Sequence, residues 1–220
     1  MNIRLDWYKH CNKNTWFEML KKEKFDETFL REHIDLIEFH DVVRQMVNYQ
    51  KVSFEFIREF KDIIEWGTFN YRLFKNDKQV EEFADKVDFI TLSRQPIKLS
   101  EQFFDKYKER FDWTVLLKHN KFSMDFLRDH LDYLDWDEVA YDQDLDMDFI
   151  EEFADKLDWH LMSATQKFTP DIMNQFFDRI DWQQFEAYNK DVPIPWPIYK
   201  RVAKLGLWDP YNRQDFNFIR

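Results

Sequence analysis

The feature that most constrains this chain is a unit of 23 residues that recurs along most of its length. Each copy opens on an aromatic residue, and the intervals between successive openers are 23, 27, 23, 24, 23, 23 and 23 residues. The openers of copies one to eight are Trp16, Phe39, Trp66, Phe89, Trp113, Trp136, Trp159 and Trp182. A fixed period of this size is typical of stacked supersecondary units, each of which buries its apolar side against its neighbours.

The pattern inside each copy predicts two short helices. An apolar residue follows each opener by three positions, which places both on one face of a first helix. About ten positions after the opener comes a residue that caps helix N-termini well. These predicted caps are Asp26, Ser53, Asn76, Ser100, Ser123, Asp146 and Thr169. Apolar residues flank most caps at the spacing of a hydrophobic staple, and Lys75 breaks that spacing, so copy three is expected to be the loosest. An acid ends each copy, where it can cap the next first helix.

This pattern predicts an all-α protein, specifically an α-solenoid of about eight 23-residue two-helix repeats with atypical capping ends. We expect one elongated domain over residues 1–220, with an N-terminal cap at 1–15, repeats at 16–190 and a C-terminal cap at 191–220. Trp7 and the aromatic tail after Trp208 are expected to cover the two ends. Pro197 is expected in the first turn of a last helix, and Gly206 just beyond that helix.

Composition and motifs disfavour several classes of function. The only cysteine is Cys11, which excludes a disulfide framework and a cysteine-based metal site. The two glycines of the chain form no phosphate-binding loop, and no catalytic serine motif or zinc motif is present. We therefore predict no enzyme, no cofactor and no metal. His33 and His130 stand where other copies have phenylalanine, so they are predicted to be repeat aromatics rather than ligands. No apolar run is long enough for a membrane span or a signal peptide, which makes the cytoplasm the expected compartment.

Charge is distributed unevenly along the chain. The formal net charge is −11, and residues 25–188 alone carry 20 basic and 37 acidic side chains. Acids recur at helical spacing on the second helices, opposite the apolar stripe, and this predicts one acidic ribbon. The residues proposed for partner binding on this ribbon are Glu82, Asp85, Asp132, Glu152, Asp155 and Asp178. Lys86 and Lys156 lie four positions after Glu82 and Glu152, so these two pairs are expected to form locally.

Two stretches carry a resemblance to a known group of proteins. Residues 88–100 read DFITLSRQPIKLS, and residues 149–159 read FIEEFADKLDW. Together they resemble short helical repeats of the form DWxxLSxNPxLSxxFIxxFxDxLDW, which occur in proteins of bacteriophages and large DNA viruses. The resemblance covers roughly residues 16–190. It implies a viral interaction protein without a catalytic role, acting in the host cytoplasm.

The function predicted first is therefore non-enzymatic binding of another protein. The sharper hypothesis is an inhibitor that presents its acidic face to a basic or nucleic-acid-binding host protein. The alternative is a protein that binds or sequesters a nucleotide-like small molecule near the basic C-terminal cap, through Lys200, Arg201, Lys204 and Arg213. An enzyme built on paired carboxylates ranks third, because acids at helical spacing usually form a solvated face. Direct nucleic-acid binding is not expected, since basic and aromatic residues do not alternate along a groove-like surface.

Overall fold

The protein is helical throughout the parts that the computed structural model describes, which are residues 11–34, 46–95 and 97–207. No β-strand is found in these ranges. The helices are short, from five to ten residues, as the repeat length predicts. The all-α prediction is confirmed for this part of the chain. None of these helices is both long and apolar enough to span a bilayer.

The chain divides into two compact units, Met1–Asp112 and Trp113–Arg220. The prediction of one elongated domain over residues 1–220 stays a prediction. In the first unit the α-helices are α1 Lys13–Lys22, α2 Glu27–Glu32, α3 Phe54–Glu59, α4 Asp77–Glu81, α5 Phe89–Ser93 and α6 Glu101–Lys106. Residues 46–49 are also helical. Short 3-10 helices lie at Trp66–Thr68, Tyr71–Leu73 and Lys108–Arg110.

The second unit continues the same alternation of first and second helices. Its α-helices are α7 Trp113–His119, α8 Met124–Asp129, α9 Trp136–Asp142, α10 Met147–Phe153, α11 Trp159–Thr165, α12 Pro170–Gln175, α13 Trp182–Tyr188 and α14 Trp196–Lys204. A 3-10 helix lies at Leu131–Tyr133. The first helices pack in succession, α7 against α9, α9 against α11, and α11 against α13. Within this unit the first helices of copies five to eight therefore form a layer.

All seven predicted N-caps begin a helix in the structure. In each case the side-chain oxygen accepts a hydrogen bond from the backbone N–H three residues later. The Asp26 carboxylate, for example, accepts from the N–H of Phe29 at 2.8 Å. Pro170 occupies the first turn after its cap, Thr169, as predicted. The cap signal is local in sequence, which explains why it could be read without knowledge of the fold.

Four of the acids at the copy junctions cap the helix that follows them, whereas Glu65 does not, and Glu38 lies outside the described residues. Asp88, Asp135, Asp158 and Asp181 each accept hydrogen bonds from first-turn amides of the following first helix. Glu65 makes no such bond, and the prediction that it caps the next helix is wrong. Only a three-residue 3-10 helix follows Glu65, and glutamate is not among the preferred N-cap residues.

Copy three departs from the repeat in its first helix. Two 3-10 helices replace the expected α-helix, in a stretch that contains Gly67 and several β-branched or aromatic residues of low helix propensity. The buried Tyr71 hydroxyl donates to the carbonyl of Trp66 at 2.9 Å and accepts from the N–H of Asp88 at 2.8 Å. Burial raises the pKa of Tyr71 well above its usual value, so the phenol stays protonated.

The core is aromatic, and the two histidines of the repeat belong to it. Trp113 and Trp182 are buried, while Trp136 and Trp159 are partly exposed at the edge of the core. His33 and His130 are each 4% exposed. Their Nδ1 atoms lie 2.8 Å from backbone carbonyl oxygens one turn earlier, and each ring stacks on a phenylalanine at a centroid distance of 4.1 Å. Their predicted role as repeat aromatics is confirmed.

The last described helix ends as the sequence indicates. Pro197 lies in the first turn of α14. Gly206 follows the helix with φ of 62°, a left-handed conformation that glycine adopts without steric cost. The N–H of Leu207 donates back to the carbonyl of Val202 at 3.2 Å and closes the turn. Trp7 and the tail from Trp208 onward, predicted to cover the two ends, lie outside the described residues.

Candidate functional site

The six acids proposed for partner binding are all exposed on the second helices or on the turns that follow them. Glu82 and Asp85 belong to the first unit, and the other four acids belong to the second. Four of the six form ion pairs with a cation outside their own copy. These pairs are Glu82 with Arg58, Glu152 with Arg128, Asp155 with Arg179 and Asp178 with Arg201. Asp85 and Asp132 form no ion pair within the described ranges.

The first kind of inter-copy ion pair joins successive second helices. An arginine five positions after its cap reaches a glutamate six positions after the cap of the next copy. Arg31 and Glu59 approach to 2.7 Å, as do Arg128 and Glu152. Arg58 contacts both carboxylate oxygens of Glu82, and this hydrogen bonding holds the pKa of Glu82 below its usual value.

The second kind runs in the opposite direction along the chain. A cation in the turn of one copy reaches the acid nine positions after the cap of the copy before it. Lys86 lies 2.8 Å from Asp62, and its hydrogen bond lowers the pKa of that carboxyl. The guanidinium of Arg179 pairs with Asp155 and also donates to the carbonyl of Ala154 at 2.8 Å.

These contacts correct the expected local pairing of charges. Glu82 pairs with Arg58 rather than Lys86, which bonds Asp62 instead. Glu152 pairs with Arg128, and the ammonium of Lys156 lies 4.9 Å from the ring centroid of Trp136. Much of the acidic charge therefore holds neighbouring copies together. A carboxylate that is held in such an ion pair is less available to bind a partner protein.

A set of buried or partly buried amide side chains also joins the copies, and the repeat pattern did not predict it. We call these residues the inter-copy amides, and they are Gln50, Gln95, Gln143, Gln166 and Asn189. Gln143 is 1% exposed. Its Nε2 donates to the carbonyls of Leu117 and Asn120 at 2.8 Å each, and its Oε1 accepts from the N–H of Phe122 at 3.0 Å.

The inter-copy amides satisfy backbone groups that a short helix cannot satisfy itself. The last carbonyls of any helix lack an intrahelical partner. Gln166 repeats the arrangement of Gln143 one copy later, donating to the carbonyls of Ala140 and Gln143 at 2.9 and 2.7 Å. The sequence feature that could have indicated these contacts is an amide residue seven positions after the opener in copies six, seven and eight.

Buried serines add a further repeated contact. The hydroxyl of Ser163 donates to the carbonyl of Trp159 and accepts from the N–H of Asp181 at 3.0 Å. Ser93 makes the equivalent contacts, donating to Phe89 at 2.8 Å and accepting from Asp112 at 3.1 Å. Each serine fixes the acid that ends its own copy, which gives the serine of the Leu-Ser pair in the repeat a structural role.

The basic residues of the predicted anion site are largely engaged by their neighbours. The guanidinium of Arg201 stacks on Phe177 at 3.7 Å and pairs with Asp178 at 3.0 Å. The ammonium of Lys200 lies 5.1 Å from the ring of Trp196. Lys204 is exposed, and Arg213 lies outside the described residues.

A cleft of about 440 Å³ lies beside these basic residues, between α14 and the end of copy seven. Its described lining includes the carboxylates of Asp178 and Asp181 and contains no lysine or arginine. Lys200, Arg201 and Lys204 are not part of this described lining, although Arg201 contacts Phe177 and Asp178 at its edge, and the carboxylates of the lining disfavour an anion.

A second cleft, of about 480 Å³, lies on the layer of first helices in the second unit. Its lining residues come from α7, α9 and α11, and they are Lys118, Asp137, Glu138, Tyr141, Asp142 and Leu161. We call it the first-helix groove. The side chain of Tyr141 is 55% exposed, although it is large and mostly apolar. The repeat pattern does not predict an exposed aromatic residue at this position.

Three carboxylates and one lysine belong to the described lining of the first-helix groove, so its charge is negative. Lys118 lies 2.8 Å from Glu138, and this hydrogen bond raises the pKa of the lysine. Partial burial, and then the neighbouring Glu138, raise the pKa of Asp142. No group of acidic, histidine or cysteine side chains in the described part of the chain is arranged to hold a metal ion. The groove therefore offers aromatic and carboxylate contacts to a bound group.

Comparison with models of protein families, with curated proteins and with solved structures finds no match to this chain. The resemblance to viral helical repeats stays a prediction.

Proposed function

We propose that this chain is a non-enzymatic α-solenoid that binds another protein. The support for a solenoid lies in the repetition of contacts inside each unit, where ion pairs and amides link one copy to the next and buried serines repeat the same bonds within a copy. Each copy then stabilises its neighbours, and the protein works through an extended surface rather than an enclosed pocket. The host-protein inhibitor and the viral origin remain hypotheses within this proposal.

One observation carries the protein-binding proposal. Tyr141 and Tyr188 project from the first helices of copies six and eight with 55% and 69% of their surface exposed. Tyrosine is enriched at protein interfaces and among the residues that dominate binding energy, because it presents a large rigid surface with a polar tip. We define the exposed side of α7, α9, α11 and α13 as the first-helix face, and we propose that it contacts the partner.

The charge of the chain favours a basic partner, as expected from the sequence. The net charge of −11 would speed the encounter with a positively charged protein. The acids of the second helices are weaker candidates for direct contact, because four of the six already hold a cation. Asp132 is the clearest probe of that surface, since its replacement breaks no ion pair among the described residues.

The experiment is affinity capture from lysate at low and high salt with two matched variants. Tyr141→Ala with Tyr188→Ala should abolish a salt-sensitive capture, whereas Asp132→Asn should leave it unchanged. A loss of capture with Asp132→Asn alone would move the binding surface to the second helices. If no protein is retained by the unmodified chain at either salt concentration, the protein-binding proposal is wrong.

A further inference from the structure

We propose that the first-helix groove receives an arginine side chain of the partner protein. The inference rests on the proposed protein-binding function and makes its recognition chemistry specific. It draws on three features of the groove: its aromatic wall, its charge and the position of Asp142.

The walls of the first-helix groove suit the flat face of a guanidinium group. Tyr141 presents more than half of its surface to solvent on α9, and Leu161 is partly exposed on the adjoining α11. Guanidinium groups stack on aromatic rings, and the aliphatic stem of arginine packs on apolar side chains. An arginine can therefore cover Tyr141 while its charged end stays within the groove.

The charge of the groove calls for one more cation. Asp137, Glu138 and Asp142 supply three carboxylates, and Lys118 is the one basic side chain in the lining. Lys118 is held by Glu138 at 2.8 Å. Asp137 and Asp142 form no ion pair within the described ranges. The planar fork of a guanidinium matches a carboxylate with two parallel hydrogen bonds, which a lysine ammonium cannot do.

Asp142 is an acid that the fold itself does not favour. It is the last residue of α9, where the helix dipole opposes a negative charge. Partial burial, and then the like charge of Glu138 one turn earlier, raise the pKa of Asp142 despite the opposing charges of Lys118 and Lys121. A bound guanidinium would relieve the effects of the dipole and of the like charge. By contrast, a purely apolar partner segment would bury these carboxylates without a counter-charge, at a substantial cost.

The test uses two blocked pentapeptides, acetyl-Gly-Ala-Arg-Ala-Gly-amide and its citrulline counterpart, which keeps the shape of arginine but lacks its charge. Both are titrated into the whole isotope-labelled protein and followed by amide chemical shifts. The arginine peptide should perturb Tyr141, Asp142 and Leu161 in a saturable way and bind at least about tenfold more tightly than the citrulline peptide. Equal binding of the two peptides would overturn the proposal.

Variants decide whether the groove is the site. Asp142→Asn should weaken binding of the arginine peptide about tenfold, and Tyr141→Ala about fivefold. Asp148→Asn is a matched control at an exposed position outside the groove, and it should not change the affinity. Shifts that centre on Asp148, or variants in the groove that bind normally, would refute the assignment.

Failure of this inference is distinguishable from failure of the proposed function. If lysate capture depends on Tyr188 but not on Asp142, the protein-binding function stands and the arginine site is wrong. If the peptide binds as described but no protein is captured, the groove is correct and the protein-binding function fails.

Discussion

Replacing Gln143 by leucine should destabilise the second unit far more than its polar character suggests. The side chain is 1% exposed and makes three hydrogen bonds to the backbone of the preceding copy. Leucine has a similar volume, so the change leaves little cavity. It removes the hydrogen bonds that Gln143 makes to the N–H of Phe122 and to the carbonyls of Leu117 and Asn120.

The magnitude follows from those three groups. Removing the side-chain partner of a buried backbone group costs about 1–2 kcal/mol, so three such losses cost about 3–6 kcal/mol. The added apolar surface of leucine returns about 1 kcal/mol. The expected loss is therefore about 2–5 kcal/mol, a large share of the roughly 5–15 kcal/mol that stabilises a typical domain.

Urea unfolding followed by tryptophan fluorescence measures the loss, and hydrogen exchange locates it. Repeat proteins can unfold in parts, so a single transition is not assumed. The amide of Phe122 should lose its protection in Gln143→Leu and retain it in Gln175→Leu, an exposed control expected to change stability by at most about 0.5 kcal/mol. If both variants unfold at the same urea concentration and Phe122 stays protected, the structural role assigned to the inter-copy amides is wrong.

Three further predictions use the caps and charges. Ser123→Ala should lower the free energy of unfolding, measured in urea, by about 1 kcal/mol. Asn76→Ala should lower it less, because the helix that Asn76 caps has only five residues and follows the 3-10 turns of copy three. Equal losses in the two variants would contradict this. Because the pKa of Asp142 is raised in the folded protein, its ionisation costs stability as pH rises through that folded pKa. Asp142→Asn should therefore raise the melting temperature at neutral pH. Removing the negative charge from the helix C-terminus should by itself stabilise the fold by about 0.3–1 kcal/mol. A lower melting temperature would show that the charge of Asp142 does not destabilise the fold. A double-mutant cycle between Arg128 and Glu152 should give a small favourable coupling that shrinks at high salt, and a salt-independent coupling would exclude an ion pair.

The helix starts were predictable because their determinants lie within a few residues. The side chain of Ser123 and the amide of Phe126 are three positions apart, so the sequence alone places them together. The positions of the aromatic openers and of the buried histidines were also predictable from the sequence. Residues at equivalent positions of different copies occupy equivalent places in the fold, so the repeat alone indicates their environment. His130 takes the place of a phenylalanine and packs as one would.

The pairing of charges was not predictable in the same way. Glu82 has a lysine four positions away in sequence and an arginine 24 positions away, and only the folded geometry selects the arginine. The sequence alone does not show whether a charged residue pairs with a neighbour four positions away or with a residue of the adjacent copy. The same limit concealed Gln143, whose hydrogen-bond partners lie 21 to 26 residues earlier.

The ion pairs between copies lie on the surface, whereas the inter-copy amides are buried or partly buried. This difference determines which substitutions can test the surface. Exposed ion pairs are weakened by water and salt, whereas the buried amides act where an unpaired group is costly. Replacing Asp132, Glu152, Asp155 and Asp178 together would break three ion pairs as well as remove charge. Weaker binding by that variant could then reflect looser packing of the copies. Asp132→Asn changes the charge while leaving every described ion pair intact, so its effect on binding reports the acidic surface alone.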